Sequence, residues 1–299
     1  MLNIERAWQS PRAVQALTGV SRTGFEQLEN RFAAVVGEQR AKRRSKRAPG
    51  AGRKHTLRTL RAKLFFLLLY LKCYPTFDVA GLLFEVDRSR ACRWVSEWLP
   101  VLERVLGQAA VLPARQIRSV KEFLQRFPEV QDLFLDGTER PTQRPQHAGQ
   151  QRARYAGKKK RHTVKNVIGN DVTKRIVLLG ETQGGQVHDY PLLQGSGWLP
   201  RLPEGLRLWG DRGFQGLEQA APQLQVFQPY KKPRGGRLPQ WARGLNRLVA
   251  TVRVRAEHAL AGIKRLRCLT DVYRNRRKAM EDHLMMVGCG LWNLQLQQA

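Results

Sequence analysis

Three acidic residues stand where metal-dependent chemistry would need them. Asp136 follows an apolar run at 133–135 and precedes a turn predicted at Gly137-Thr138, Asp211 follows a second run at 206–209, and Glu257 lies in a long basic segment. We predict two aspartates at strand ends and a glutamate on a helix. Carboxylate oxygens are the ligands that Mg²⁺ prefers, and two such ions about 4 Å apart can activate an attacking oxygen and stabilise a leaving one. The chemistry predicted is phosphoryl transfer.

The charge of the chain predicts a polyanionic partner. The 299 residues include 53 Lys and Arg against 24 Asp and Glu, a net charge of +29. Basic residues cluster at 40–54, 152–161, 231–237 and 264–267. Any one cluster could be a solvated surface or a linker, but together they favour nucleic acid. Since the acidic site would act on phosphate, we expect double-stranded DNA.

Several classes of protein are disfavoured. The four cysteines are far apart and form no CxxC pair, so neither a zinc site nor a disulfide framework is predicted. The apolar run at 64–71 is shorter than the roughly 20 residues that cross a bilayer, and the amino terminus lacks an apolar signal core. We expect no membrane contact and a cytoplasmic location.

Composition changes near residue 115 predict two domains. Residues 1–115 show helical periodicity, with apolar residues three and four apart. The Gly, Pro and basic-rich stretch 37–54 predicts a linker within this domain. Residues 116–299 show short apolar runs at 132–136, 162–168, 175–179, 207–209 and 225–229, then helices at 240–268 and 282–297. This order is typical of an RNase H-like α/β domain.

A helix-turn-helix is predicted at 76–99. Thr76 and Asp87 are suited to cap its two helices, with a turn at 85–86. The second helix would bury an apolar face and present its amino-terminal polar residues to DNA. A structural helical hairpin is the alternative. The predicted recognition residues are Arg88, Ser89, Arg90 and Arg93.

The spacing of the acids is compatible with one site. Intervals of 75 and 46 residues separate Asp136, Asp211 and Glu257, enough for intervening strands but not for a large inserted domain. On a helix, Arg253, Glu257 and Lys264 fall within about 40° of one another. An ordinary salt bridge between Arg253 and Glu257 would explain part of this stripe. Beside two aspartates, we interpret it as a metal ligand flanked by cations that bind phosphate.

Four ordered segments resemble the DDE transposases of bacterial insertion sequences, specifically the fifth insertion-sequence family. They are DGTERPTQRP at 136–145, YAGKKKRHT at 155–163, GDRGFQG at 210–216 and YRNRR at 273–277. The resemblance implies a helix-turn-helix domain followed by a DDE endonuclease domain. It covers most of the chain from about residue 57.

By position, the resemblance makes Asp136, Asp211 and Glu257 the catalytic and metal-binding triad. Two Mg²⁺ ions, replaceable by Mn²⁺, would be the cofactors, and a homodimer or larger assembly would join two transposon ends. Arg253 and Lys264 match a family signature whose tyrosine position is Ala250 here, and Phe214 replaces a commoner tyrosine. The basic tetrad after Gly157 is predicted to bind DNA: Lys158, Lys159, Lys160 and Arg161.

The predicted function is transposition: strand cleavage at terminal inverted repeats and strand transfer, in a protein associated with the nucleoid when bound to DNA. Two alternatives remain, an RNase H-like nuclease without strand transfer and an inactive DNA-binding protein. For the His188-Asp189 pair, a hydrogen bond that orders a loop is weighed against catalysis, and neither residue enters the predicted triad.

Overall fold

The computed structural model describes residues 2–42, 56–233, 235–277 and 279–298. Two compact units result: Met1–Leu112 with Lys264–Asp271 and Arg277–Ala299, and Pro113–Ile263 with Val272–Arg276. The change of unit near residue 113 lies close to the predicted boundary. The single domain predicted over 116–299 stays a prediction; in the structure, the carboxy-terminal helix packs within the first unit. Asn293 there donates to the carbonyl of Val111 at 2.8 Å.

The first unit is helical. Its helices are α1 (Ile4–Trp8), α2 (Pro11–Thr18), α3 (Arg22–Lys42), α4 (Leu60–Cys73), α5 (Phe77–Phe84), α6 (Arg88–Gln108) and, late in the chain, α12 (Met280–Leu296). Helix α4 is buried along the whole of residues 63–71, so it forms the centre of this unit rather than a membrane segment. No described helix is long and apolar enough to span a membrane.

The predicted linker at 37–54 begins too early. Helix α3 continues through Gly37 to Lys42, because one glycine lowers helix stability by only about 1 kcal/mol among good helix formers. No heavy atom lies within 4 Å of the position that a Cβ on Gly37 would occupy. Residues 43–55, which hold the rest of the predicted linker, lie outside the described residues.

The second unit combines a mixed sheet with helices. Its strands are β1 (Asp132–Pro141), β2 (Tyr155–Ala156), β3 (Arg161–Asn170), β4 (Ile176–Leu179), β5 (Gln183–Gly184), β6 (Arg207–Trp209) and β7 (Gln225–Phe227). Its helices are α7 (Val120–Arg126), α8 (Ala148–Arg154), α9 (Asp189–Ser196), α10 (Leu217–Ala220) and α11 (Gln240–Lys264), whose last residue falls in the first unit. The helix predicted to reach residue 268 therefore ends at Lys264.

The sheet has the order β2-β3-β1-β6-β7, with β4 and β5 also paired to β3. Strands β1 and β3 are antiparallel, whereas β1, β6 and β7 run parallel. An antiparallel hairpin followed by parallel strands is consistent with the predicted RNase H-like fold, which is confirmed. One buried core, including Leu133, Leu135 and Leu208, lies against this sheet.

Strand β1 corrects one detail of the prediction. No turn occurs at Gly137-Thr138; the strand continues to Pro141, and Gly137 pairs with Val167. Asp136 therefore lies within a strand. What ends near it is the pairing of β1 with β6, which stops at Phe134 and Trp209.

Candidate active site

The site is built on the parallel strands β1 and β6. Asp132, the first residue of β1, holds the two strands together at the end that we call the lower level. Asp132 accepts hydrogen bonds from Arg207 Nε at 2.7 Å, Arg207 Nη2 at 2.6 Å and the indole N–H of Trp209 at 2.8 Å. The hydrogen bond from Arg207 is the main reason that the pKa of Asp132 lies below its ordinary value. Paired donors of this kind specify geometry as well as adding energy.

The register of this pair places two predicted acids at one level. Asp132, Leu133 and Phe134 pair with residues 75 positions later in the chain, and the same interval separates Asp136 from Asp211. Neighbouring strands lie about 4.8 Å apart. Continuing the register therefore sets Asp136 beside Asp211 at the carboxyl end of β6.

The two aspartates also share a face of the sheet. Side chains alternate along a strand, so Asp136 lies on the face of Asp132 and Phe134, and Asp211 on the face of Trp209. On this face the rings of Phe134 and Trp209 stack at 6.0 Å. The opposite face carries Leu133, Leu135 and Leu208 into the core.

Backbone N–H groups orient both aspartates. Oδ1 of Asp136 accepts from the N–H of Gly137 at 2.7 Å, and Oδ1 of Asp211 accepts from the N–H of Gly213 at 2.8 Å. Asp211 begins a single 3-10 turn at Arg212–Phe214. Gln228 holds that turn by donating to the carbonyls of Asp211 and Phe214, each at 2.9 Å. The ring of Phe214, predicted as a substitute for tyrosine, is buried in the core.

Asp189 is not part of the predicted triad, yet its carboxylate lies against Gly137 and Gly213, the glycines that follow Asp136 and Asp211. A Cβ added to Gly137 would lie 3.0 Å from its Oδ1, and one added to Gly213 would lie 2.9 Å from its Oδ2. Lys165 forms an ion pair with Asp189 at 3.4 Å and donates to the carbonyl of Val187. The sequence signal is a glycine within two residues of each predicted aspartate, because a missing side chain permits such a close approach.

Glu257 lies on an exposed part of α11, and Arg253 is half-buried on the same helix. The helix passes near the face that carries the aspartates, since Arg255 is close enough to Asp132 to lower its pKa. Among the described residues, no group of three or more His, Cys, Asp and Glu could hold a metal ion. Pairing of β1 with β6 ends two residues before Asp136 and Asp211, and no such group includes Glu257, so the triad of Asp136, Asp211 and Glu257 stays a prediction.

A divalent cation fits the two aspartates by their chemistry. Both supply carboxylate oxygens, the donor type preferred by Mg²⁺; Asp136 lies in β1, and Asp211 begins the 3-10 turn that follows β6. Arg253, predicted to bind phosphate, has a buried Nε with no hydrogen-bond partner among the described residues. A phosphate oxygen is the kind of acceptor that would satisfy this group. Lys264 is exposed in the last turn of α11.

The predicted helix-turn-helix is confirmed in the first unit. Thr76 caps α5 by accepting from Val79, and Asp87 caps α6 by accepting from Arg90 at 2.8 Å. The hydrogen bond from the Arg90 N–H also holds the pKa of Asp87 below its usual value. The apolar face of α6 is buried as predicted, while Arg88, Ser89 and Arg93 are exposed and Arg90 is half-buried.

The turn between these helices contains a glutamate, Glu85, in a backbone conformation that favours glycine. Glu85 adopts a left-handed conformation with φ 53°, which costs a residue with a side chain about 1–2 kcal/mol. Glycine is required earlier, at Gly81, where an added Cβ would lie 2.5 Å from the carbonyl oxygen of Val86. The second helix also runs past its predicted end at residue 99 to Gln108, with Pro100 inside it.

The predicted basic tetrad forms the tip of the β2–β3 hairpin. Lys158, Lys159 and Lys160 occupy the turn and Arg161 begins β3, and all four are exposed. Lys160 has φ 50°, in the left-handed region. The hairpin thus presents four adjacent cations to solvent.

Comparisons with known proteins agree with these features. Residues 135–293 match the sequence profile of a family described as "DDE superfamily endonuclease", and residues 55–108 match "Helix-turn-helix of DDE superfamily endonuclease". The chain is 27% identical over 297 residues to "Probable transposase for insertion sequence element IS702" of Microchaete diplosiphon, and the match covers 99% of each chain. No solved structure matches this chain.

Proposed function

Because this chain belongs to the DDE superfamily of endonucleases, we propose that it is an insertion-sequence transposase that cleaves DNA at terminal inverted repeats and joins the freed strand to a target. The observation that supports this proposal is the register of β1 and β6, which would set Asp136 beside Asp211 if it continued two residues past the paired ones. Asp136, Asp211 and Glu257 would hold two Mg²⁺ ions, which activate the attacking oxygen and stabilise the leaving one. Mn²⁺ would substitute.

The residues of the chain position DNA for two successive reactions. Water attacks the phosphodiester at the transposon end, which releases a 3′-hydroxyl and leaves a 5′-phosphate on the flanking strand. The 3′-hydroxyl then attacks a target phosphodiester and displaces the 3′-oxygen of the target strand, which leaves as a hydroxyl. Arg253 and Lys264 neutralise phosphates beside the acids, since Arg253 has a buried donor to satisfy. Backbone hydrogen bonds orient the carboxylates of Asp136 in β1 and of Asp211 at the turn after β6 before DNA binds, which would limit the reorganisation needed on binding.

Cleavage and joining of labelled DNA carrying the element's own ends tests the proposal. Asp136→Asn, Asp211→Asn and Glu257→Gln should each lower the rate about 1,000-fold or more, because several kcal/mol of charge stabilisation are lost. Glu218→Gln, which changes an exposed acid on α10, should leave it unchanged. Chelation should stop both steps, and Mg²⁺ or Mn²⁺ should restore them. Cutting without joining would indicate a nuclease that does not transfer strands. DNA binding without cutting would indicate an inactive DNA-binding protein.

We also propose that α6 recognises the inverted repeats, with two ends brought together by a homodimer or larger assembly. The exposed Arg88, Ser89 and Arg93 at the start of a helix are placed as a recognition helix requires. Replacing Arg88, Arg90 and Arg93 with alanine should weaken binding to the ends and reduce the salt slope by about 0.9 for each phosphate that the protein no longer neutralises. A control changes three exposed arginines of the same unit, Arg6, Arg12 and Arg31. Equal losses in both triple variants would exclude α6 as the reader of sequence.

A further inference from the structure

A groove lies beside the candidate active site, and none of the three predicted metal-binding acids lines it. It has a volume of about 940 Å³, and Asp189 and Gly213 are among the residues that line it. Gly213 also donates its N–H to Asp211 at 2.8 Å. The groove therefore opens directly at the predicted site of phosphoryl transfer.

The groove contains an exposed aromatic ring in a fixed position. Tyr155 lines it and is 45% exposed. Its backbone pairs with His162 across β2 and β3, and the two rings meet edge to face with centroids 5.7 Å apart. A ring held from the side, with much of its surface open to solvent, suits stacking against a planar ligand.

The charges of the groove favour an anionic ligand. Arg144, Arg152 and Lys158 line it and are exposed. Its carboxylates already have partners: Glu139 accepts from Thr163 Oγ1 at 2.5 Å, and Asp189 pairs with Lys165 at 3.4 Å. The cations therefore determine the charge that a ligand would meet.

A planar ring beside several phosphate-binding cations is the chemistry that recognises an unpaired nucleotide. The faces of bases inside a duplex are covered by their neighbours, so an interior base must be unpaired and unstacked before it can stack on Tyr155. The volume of the groove falls within the range of about 300–1,000 Å³ that is usual for small-ligand pockets. It suits a few nucleotides of one strand rather than a segment of duplex.

We infer that this groove binds unpaired DNA next to the reacting phosphate, with Tyr155 stacking on a base and the three cations contacting its phosphates. The inference rests on the proposed DNA-cleaving function for its role. It adds a single-strand site at which the cut end, or a frayed nucleotide beside it, would be held.

Binding of a fluorescein-labelled oligothymidylate, alone and annealed to an oligoadenylate of the same length, is measured by anisotropy at one salt concentration and tests the groove without cleavage. Tyr155→Ala should weaken binding of the oligothymidylate about tenfold, the usual scale of one base stacked on an aromatic ring. Tyr155→Phe should retain it, because the ring remains. Binding of the duplex should be unchanged in both variants.

The matched control is Tyr230→Ala. Tyr230 lies in the same unit, is 47% exposed and also has an edge-to-face partner, Trp241 at 5.2 Å. An equal loss in this control, or an equal loss of duplex binding in Tyr155→Ala, would overturn the inference. The cleavage assay is separate: normal cutting with no selective loss in Tyr155→Ala defeats the groove alone. Selective loss in a chain that cuts no DNA defeats the proposed function alone.

Discussion

The β1–β6 pair carries aspartates at two levels, and the structure holds them differently. At the lower level, Asp132 meets the guanidinium of Arg207 and the indole of Trp209. At the upper level, Asp136 and Asp211 accept backbone N–H groups of the glycines beyond them. The arginine balances the charge of the Asp132 carboxylate, and the glycine N–H groups fix the direction of the two upper carboxylates. The lower level is suited to fixing the strands and the upper to presenting oxygens to a cation.

The two levels also differ in what surrounds the backbone. Large rings pack at the lower level, where Trp209 stacks between Phe134 and Phe227 at 6.0 Å and 4.3 Å. At the upper level Gly137 and Gly213 leave room for the carboxylate of Asp189. Aromatic packing stabilises the lower level. At the upper level, the missing side chains of Gly137 and Gly213 let Asp189 approach.

Among the substitutions that test this comparison, one at the upper level should lower cleavage the most. A Cβ at Gly213 would lie 2.9 Å from Oδ1 of Asp211 and 2.9 Å from Oδ2 of Asp189, so Gly213→Ala must displace both carboxylates. We expect cleavage of labelled end DNA to fall about 100-fold, the scale of a misplacement near 1 Å, with little change in Tm.

The control is Gly149→Ala, where no atom lies within 4 Å of the added Cβ. It should cleave at the wild-type rate. A Gly213→Ala variant that cleaves normally would show that the position of these carboxylates is not critical. A requirement for more Mg²⁺ in Gly213→Ala would support displacement of metal ligands rather than general disorder.

Much of this arrangement could be predicted from local sequence. The apolar runs before Asp136 and Asp211 predicted β1 and β6. The interval of 75 residues between these aspartates equals the interval between the paired residues of the two strands. The capping residues Thr76 and Asp87 predicted the ends of two helices. Such signals are local, because each depends on hydrogen bonds or burial within a few residues.

The parts that sequence could not predict depend on distant partners. Gly137 resembled a turn residue, but pairing with Val167 continues the strand through it. The packing of the carboxy-terminal helix within the first unit could not be predicted either, because its contacts, such as that of His283 with Glu103 at 2.5 Å, join residues far apart in the chain. The approach of Asp189 to Gly213 likewise requires tertiary structure.

Breaking the lower level should affect stability more than chemistry. Asp132→Ala would leave the guanidinium of Arg207 and the indole of Trp209 without their acceptor. Since the Asp132 side chain is only 13% exposed, we expect a loss of about 2 kcal/mol. For a unit of this size, that loss corresponds to a decrease of about 4–8 °C in Tm. Calorimetry of the full chain measures it.

The exposed acid Glu218 provides the comparison, since Glu218→Ala should leave Tm unchanged. Cleavage measured well below the Tm of Asp132→Ala should fall less than in Gly213→Ala. A larger loss of cleavage in Asp132→Ala would mean that the lower level takes a direct part in the chemistry, and the distinction between the levels would fail.

Acid should remove part of the contribution of the lower level, which is the smallest of these effects. Because the hydrogen bond from Arg207 lowers the pKa of Asp132 in the folded chain, the unfolded chain takes up this proton first as pH falls. The stabilisation is therefore fully present above the ordinary carboxyl pKa of about 3.9 and is lost as pH decreases through the lower folded value. The Tm of the wild type should exceed that of Asp132→Asn by a constant amount from neutral pH to about pH 5, and the difference should shrink in stronger acid. A difference that persists there would show that packing around Asp132, rather than its charge, fixes the lower level.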